Sequence, residues 1–202
     1  MKMEKVYQIK KHMLTTIANV ETGRWNAQTK QKNAWPWTIN AQGKGMFFNT
    51  KAEAVKKVKE LQAQGIKSID VGCMQINLIY HSDAFNSIEE AFDPQKNVEY
   101  AAKFLKKLYK NNDKDWIKAA MTYHSSIQSK ALKYKEKIVS TYELVKQAQN
   151  NLDKSLFAEQ NNIITASNSE NKAVYKSGDR ESKINAHRWR EAKLAEWRTR
   201  NN

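Results

Sequence analysis

A carboxylate at the end of an amphipathic run is the first residue in this chain whose placement suggests chemistry. Val6, Ile9, Met13, Leu14 and Ile17 recur at helical spacing and make one apolar stripe. Glu21 lies four residues beyond Ile17 on that stripe, at the last turn of the helix the spacing predicts. Gly23 then fits a left-handed position that ends the helix. Apolar neighbours desolvate a carboxyl in such a place, and the negative end of the helix dipole opposes its charge. Both effects favour the protonated acid, the form a general acid needs near neutral pH. The plainer alternative is a solvated glutamate fringing a helix.

Few other residues compete for a chemical role. Cys73 is the only cysteine, which excludes an intrachain disulfide, and its Val71-Gly72-Cys73-Met74 setting suits packing better than nucleophilic attack. Asp70, the acidic residue nearest that run, reads as structural. His12, His81, His124 and His187 share no spacing with Asp or Glu that resembles a zinc site, so no metal and no cofactor are expected. There is no Gly-rich phosphate loop and no nucleophile elbow.

The elements that must position Glu21 can be followed along the chain. Between Trp25 and Asn49, two short aromatic and β-branched runs flank Gln42-Gly43-Lys44-Gly45, the pattern of a β-hairpin. Thr50 and Glu53 form a capping box for a helix that buries Ala54, Val55, Val58 and Leu61 and closes at Gly65. Residues 66–80 interleave apolar anchors with uncharged polar groups. Asp93-Pro94 opens a helix carrying Val98, Ala101, Ala102, Leu105 and Leu108. A short helix follows over Trp116–Tyr123, then a long one from about Ser129 to Phe157. From Glu159 onward Asn, Ser and Lys dominate. The expected organisation is a domain over 1–157, a flexible linker over 158–179 and a basic segment over 180–202. The expected class is mainly α, a helical domain with one small hairpin.

The 202 residues are 40% hydrophobic and 28% charged, ordinary for a soluble domain, but the net charge is +14. From Asn168 onward four Lys and five Arg face four Glu and one Asp, so less than half of that excess sits in the tail. A positive body attracts polyanions generally: nucleic acid, anionic wall polymer or a membrane surface. No apolar run approaches the roughly 20 residues that span a bilayer. No signal-peptide core follows the basic N-terminus, so the chain either stays inside the cell or is numbered from a mature, exported form.

Glu21-Thr22-Gly23, then Gly72-Cys73-Met74-Gln75 with Asn77, then Tyr123-His124 together resemble the soluble lytic transglycosylases. That family has the lysozyme-like fold and shows Glu-Ser, Gly-Leu-Met-Gln and Ala-Tyr-Asn in this order at similar spacings. The runs Ala34-Trp35-Pro36-Trp37-Thr38-Ile39-Asn40 and Ser68-Ile69-Asp70-Val71-Gly72-Cys73-Met74-Gln75 look like a bacterial branch of it. The resemblance covers roughly residues 6–140 and implies an α+β lysozyme-like domain whose hairpin lines a substrate cleft.

By that resemblance Glu21 is the single acid/base, cutting between N-acetylmuramic acid and N-acetylglucosamine of peptidoglycan and leaving a 1,6-anhydro end. A hydrolase needs a second carboxylate, about 5 Å away for retention or about 6.5–9.5 Å for inversion. A transglycosylase needs one, because the substrate's own hydroxyl is the nucleophile. Gln75 and Asn77 would line the cleft, Tyr123 would face Glu21, and Trp35, Trp37 and Phe48 would offer surfaces to sugars. Three departures stand out. Thr22 replaces Ser and keeps the hydroxyl for a contact to the sugar or Glu21. Cys73 replaces Leu. His124 replaces Asn, and can titrate as well as bind substrate. The resemblance implies a monomer acting in the periplasm or envelope, with an envelope-spanning assembly as a conceivable partner and cytoplasmic storage before export still open. The rivals are a hydrolytic muramidase on the same fold, a basic nucleic-acid-binding protein, against which no recognition motif appears, and an inactive wall-binding module.

Overall fold

The structure, a computed structural model, describes residues 2–28, 30–176, 188, 189 and 191, with side chains described up to 159 and at the last three. Met1–Gln149 and Asn150–Asn202 are two compact units. Helix α1 (Lys2–Val6) precedes α2 (Met13–Thr22), which passes into β1 (Gly23–Asn26), β2 (Gln31–Ala34), β3 (Thr38–Ala41) and β4 (Lys44–Phe47). After α3 (Lys51–Ala63) come β5 (Ile69–Val71), β6 (Ile76–Asn77), α4 (Ile88–Ala91), α5 (Pro94–Asn111), α6 (Trp116–His124) and α7 (Gln128–Lys176). The domain is mostly helical with small antiparallel sheets, the expected class.

The apolar spacing from Val6 to Ile17 predicts one helix, whereas the chain makes two. Gln8 and His12 adopt left-handed φ values of 50° and 72°, which interrupt the helical path. His12 gives α2 no side-chain cap. Glu4 of α1 does so instead: its buried Oε1 accepts from Leu14 N at 3.0 Å and Thr15 N at 3.4 Å. A carboxylate at the positive end of α2 both satisfies free N–H groups and complements the helix dipole. Most of the stripe survives the break, with Ile9, Met13, Leu14 and Ile17 all buried, but Val6, at the end of α1, is exposed.

Gly23 is likewise not the left-handed stop the sequence suggests. Its φ of −64° and ψ of 121° are extended, and the chain runs directly from helix into strand. What Gly23 provides is room: a Cβ there would stand 2.4 Å from Asn19 O and 2.5 Å from the Lys32 side chain.

Among the described residues three antiparallel hairpins, β1–β2, β3–β4 and β5–β6, are present where one is expected. Strands β1 and β2 pair from Gly23 opposite Ala34 to Asn26 opposite Gln31. The predicted hairpin is β3–β4, closed by Gln42 and Gly43 at φ 53° and 76°, the two-residue turn that suits strand twist. It extends into a four-stranded sheet of order β4-β3-β5-β6. The register sets Asn40 opposite Asp70 and Asp70 opposite Asn77, a polar row across three strands.

Two apolar clusters hold these parts. One joins α2, α5, α6 and the start of α7 through Met13, Leu14, Ile17, Met74, Leu105 and Ile138. The other packs α3 and Phe92 on the sheet through Val58, Ile39, Ile69 and Val71. The capping box predicted at Thr50 and Glu53 is formed in both directions, and Asp93 caps α5 ahead of Pro94. Asn97 on α5, fully buried, ties the clusters together. Its Nδ2 donates to Val71 O and Ala91 O at 3.1 Å each, while its Oδ1 accepts from Met74 N at 2.9 Å. The residues over 158–176, read from composition as linker, continue α7. The remainder of that stretch and the basic segment 180–202 lie outside the described residues, apart from 188, 189 and 191.

Candidate active site

Glu21 ends up where three long-range packings meet. It sits one residue before the C-terminus of α2, and its side chain is 14% exposed. Tyr134, from α7, donates its hydroxyl to Glu21 Oε1 at 2.7 Å. His124, from the end of α6, places Nδ1 3.8 Å from the same oxygen. The two rings are parallel, 4.2 Å apart and inclined by 4°, so Tyr134 orients both the acid and the imidazole beside it. Burial and the charge of Glu21 push the Tyr134 hydroxyl well above the usual phenol range, so it remains a donor.

Glu21 and His124 face a cavity of about 340 Å³. Its lining includes Glu21, Asn40, Asp70, Gln75, Asn77, Tyr80, Phe104, Tyr123 and His124, drawn from α2, the sheet, α5 and α6. The cavity therefore lies between the helical cluster and the sheet. Larger cavities exist against α3 and beside the β3–β4 turn, but neither is lined by Glu21. Chemistry rather than size selects the site.

Of the residues singled out from sequence, Glu21, Gln75, Asn77, Tyr123 and His124 share this cavity. Gln75, at a left-handed φ of 49°, donates through Nε2 to Gly72 O at 2.9 Å and Thr38 O at 3.4 Å. Asn77 is committed on both sides: Nδ2 donates to Asp70 Oδ1 at 2.7 Å and Ser68 Oγ at 3.0 Å, and Oδ1 accepts from Ile79 N and Tyr80 N. Tyr123 donates to Met74 O at 2.8 Å and packs on Phe104. Burial, with Glu21 nearby, holds its hydroxyl well above the usual range.

Thr22, Trp35 and Trp37 are not brought to the cavity. Thr22 is 1% exposed, with Oγ1 3.0 Å from Cys73 O and 3.1 Å from Ala18 O, and it accepts from Trp35 N at 3.2 Å. The hydroxyl that sequence directs at the sugar or at Glu21 instead pins the end of α2 to the 72–75 turn and to the strand-joining segment. Trp35 donates Nε1 to Phe48 O at 2.6 Å and meets Trp37 edge-on, while Arg24 lies over its ring. These aromatics brace the hairpins behind Glu21.

Tyr134 goes unmarked in the sequence, and Asp70, read there as structural, lines the same cavity as Glu21. Only the long helical pattern around Tyr134 was visible, and nothing in it pointed 113 residues back to Glu21. Asp70 accepts from Asn77 on one oxygen and from Asn40 Nδ2 at 3.1 Å on the other. Burial nevertheless raises its carboxyl above the usual range, and the charge of Glu21 adds to that. Among the described residues, no three or more His, Cys, Asp or Glu side chains are grouped to hold a metal ion, and no helix is long and apolar enough to cross a membrane.

A half-buried glutamate held by a phenol, facing a polar cavity walled by amides and aromatics, suits acid/base chemistry on a neutral, hydroxyl-rich substrate. The model of the transglycosylase SLT domain family matches residues 1–145, nearly the whole first unit. Comparison with curated proteins and with solved structures gave no match. The chain belongs to the transglycosylase SLT family, whose members are lytic transglycosylases of peptidoglycan.

Proposed function

We propose that this SLT-family protein cleaves the β-1,4 bond from N-acetylmuramic acid to N-acetylglucosamine without water, with Glu21 as its only acid/base. Glu21 gives its proton to the glycosidic oxygen as the bond from the anomeric carbon breaks. The muramyl 6-hydroxyl then bonds to that carbon, and its proton returns to Glu21. The products are a free N-acetylglucosamine 4-hydroxyl and a 1,6-anhydro-muramyl end, and the enzyme is regenerated. The observation that carries this reading is the single Tyr134-anchored carboxylate at the helix end of an amide-lined cavity. The net charge of +14 would favour residence on an anionic envelope polymer, which agrees with a role in the cell envelope.

The test is a digest of purified peptidoglycan by the wild type and by Glu21→Gln, with products identified by mass spectrometry. Anhydro ends from the wild type and none from Glu21→Gln are expected. Equal activity of the two would remove Glu21 from the mechanism.

One observation favours a second reading, hydrolysis. Asp70 lines the same cavity as Glu21 and lies within reach of its charge. If it activates water, the products carry reducing ends, heavier by one water, and Asp70→Asn abolishes them.

A further inference from the structure

We propose that the β1–β2 ribbon, with the edge strand β4 beside it, docks on the surface of an anionic lipid bilayer. No acidic residue stands between Glu21 and Glu53, whereas Arg24, Lys30, Lys32, Lys44 and Lys51 fall within that stretch. None of these cations has an ion-pair partner among the described residues, in contrast to Lys59 with Glu89 or Lys103 with Glu99. Arg24, Lys30 and Lys32 share the ribbon, and Lys44 begins β4. Part of the +14 charge is therefore gathered, uncompensated, on one piece of surface.

The same surface carries exposed aromatic rings. Strands β1 and β2 pair only with each other, and every described residue from Arg24 to Asn33 is exposed. A lone two-stranded ribbon has no core of its own, so packing gives no reason for a large apolar side chain on it. Yet it holds Trp25, 68% exposed and opposite Lys32. The Trp25 indole makes no hydrogen bond and no ring contact among the described residues, unlike that of Trp35. Phe47 of β4 is also exposed, and the Arg24 guanidinium lies 5.2 Å from its ring centroid, which joins the two strands into one surface. Cations attract any polyanion; the aromatics choose among them. An indole gains at the boundary between lipid headgroups and acyl chains, where its ring leaves water and its N–H stays wet. A soluble anionic polymer offers no such apolar layer. A bilayer with anionic headgroups offers both, since its negative surface potential also draws in each lysine and arginine. The contact is peripheral and needs no spanning helix.

The experiment sediments the full chain with sucrose-loaded vesicles of phosphatidylcholine alone or mixed with phosphatidylglycerol, at about 0.1 M salt. The readout is lipid binding, so it does not depend on the cleavage chemistry proposed above. Binding to the anionic vesicles and not to the neutral ones is expected. With each cation worth about fivefold at an anionic surface, Lys30→Gln and Lys32→Gln together should weaken binding about 25-fold. Trp25→Ala, which leaves the charge unchanged, should weaken it about tenfold. Lys107→Gln with Lys110→Gln removes the same charge from exposed positions on α5 and should change binding less than about threefold. Failure to bind anionic vesicles, equal binding to neutral ones, or an equal loss from the α5 pair would overturn the proposal. Unchanged binding by Trp25→Ala would also overturn it, in favour of simple charge attraction to an anionic wall polymer.

Discussion

Replacing Asn97 by Ala should cost this domain more than any loss of packing volume would suggest. The side chain makes four hydrogen bonds: to Val71 O, to Ala91 O, from Met74 N and, at 3.5 Å, from Cys73 Sγ. Its removal takes a partner from each of three buried backbone groups, at up to about 1–3 kcal/mol each. With some relaxation the total is about 4 kcal/mol, a large part of the roughly 5–15 kcal/mol that typically separates folded from unfolded domains. Urea unfolding followed by tryptophan fluorescence should show the midpoint falling by about 2 M, for a slope of about 2 kcal/mol/M. A second substitution sharpens the test. Gly72 sits at φ +80°, and a Cβ there would be 2.3 Å from Asn97 Nδ2. In the wild type Gly72→Ala therefore pays for both the clash and the left-handed backbone. In the Asn97→Ala background only the backbone cost remains, about 1–2 kcal/mol. The double variant should accordingly be more stable than the sum of the singles predicts, by more than about 1 kcal/mol. Additivity within about 0.5 kcal/mol, or an Asn97→Ala loss below about 1 kcal/mol, would refute the reasoning.

Tyr134→Phe keeps the buried ring and deletes the bond to Glu21; with charge-assisted bonds worth about 1.5–3 kcal/mol, kcat/KM should drop about 10- to 100-fold and the urea midpoint by about 1 M. Undiminished turnover by that variant would mean that the carboxylate is held in place by other groups. Burial pushes the Cys73 thiol up to about 11, so it stays neutral across physiological pH and should resist iodoacetamide until the protein unfolds. Alkylation of the native protein at the rate of a free thiol would contradict that burial. Glu4→Ala removes the carboxylate that caps α2 and should lower unfolding free energy by about 2 kcal/mol, read as a reduced urea midpoint. An unchanged midpoint would show that α2 does not depend on it.

Local signals carried the elements, and distant contacts carried the site. Thr50 with Glu53, Asp93 with Pro94, and the Gln42-Gly43 turn act within a few residues, so sequence spacing was enough to place them. The break between α1 and α2 was hidden because Ile9 and Met13 keep the apolar stripe in step across it. The cap that makes the break tolerable comes from Glu4, ten residues before Leu14. Glu21, Gln75 and Tyr123 could be found because they stand in short motifs. Thr22 could not be assigned correctly, since whether its hydroxyl turns to the cavity or to Cys73 O depends on a contact 51 residues away. Tyr134 and Asn97 stand in ordinary amphipathic helices, and only tertiary packing distinguishes them from their neighbours.

The 113 residues between Glu21 and Tyr134 also set an order of events. A chain emerging from its N-terminus has completed all three sequence motifs by His124, but the phenol that holds the acid, and Ile138 that closes the core behind it, come afterwards. A fragment ending in the turn before α7 carries every recognisable catalytic word and lacks the group that aims the carboxylate. On the proposed role of Glu21, competence would therefore be the last property this domain acquires during synthesis, and a nick in the α6–α7 turn followed by loss of α7 should take it away first.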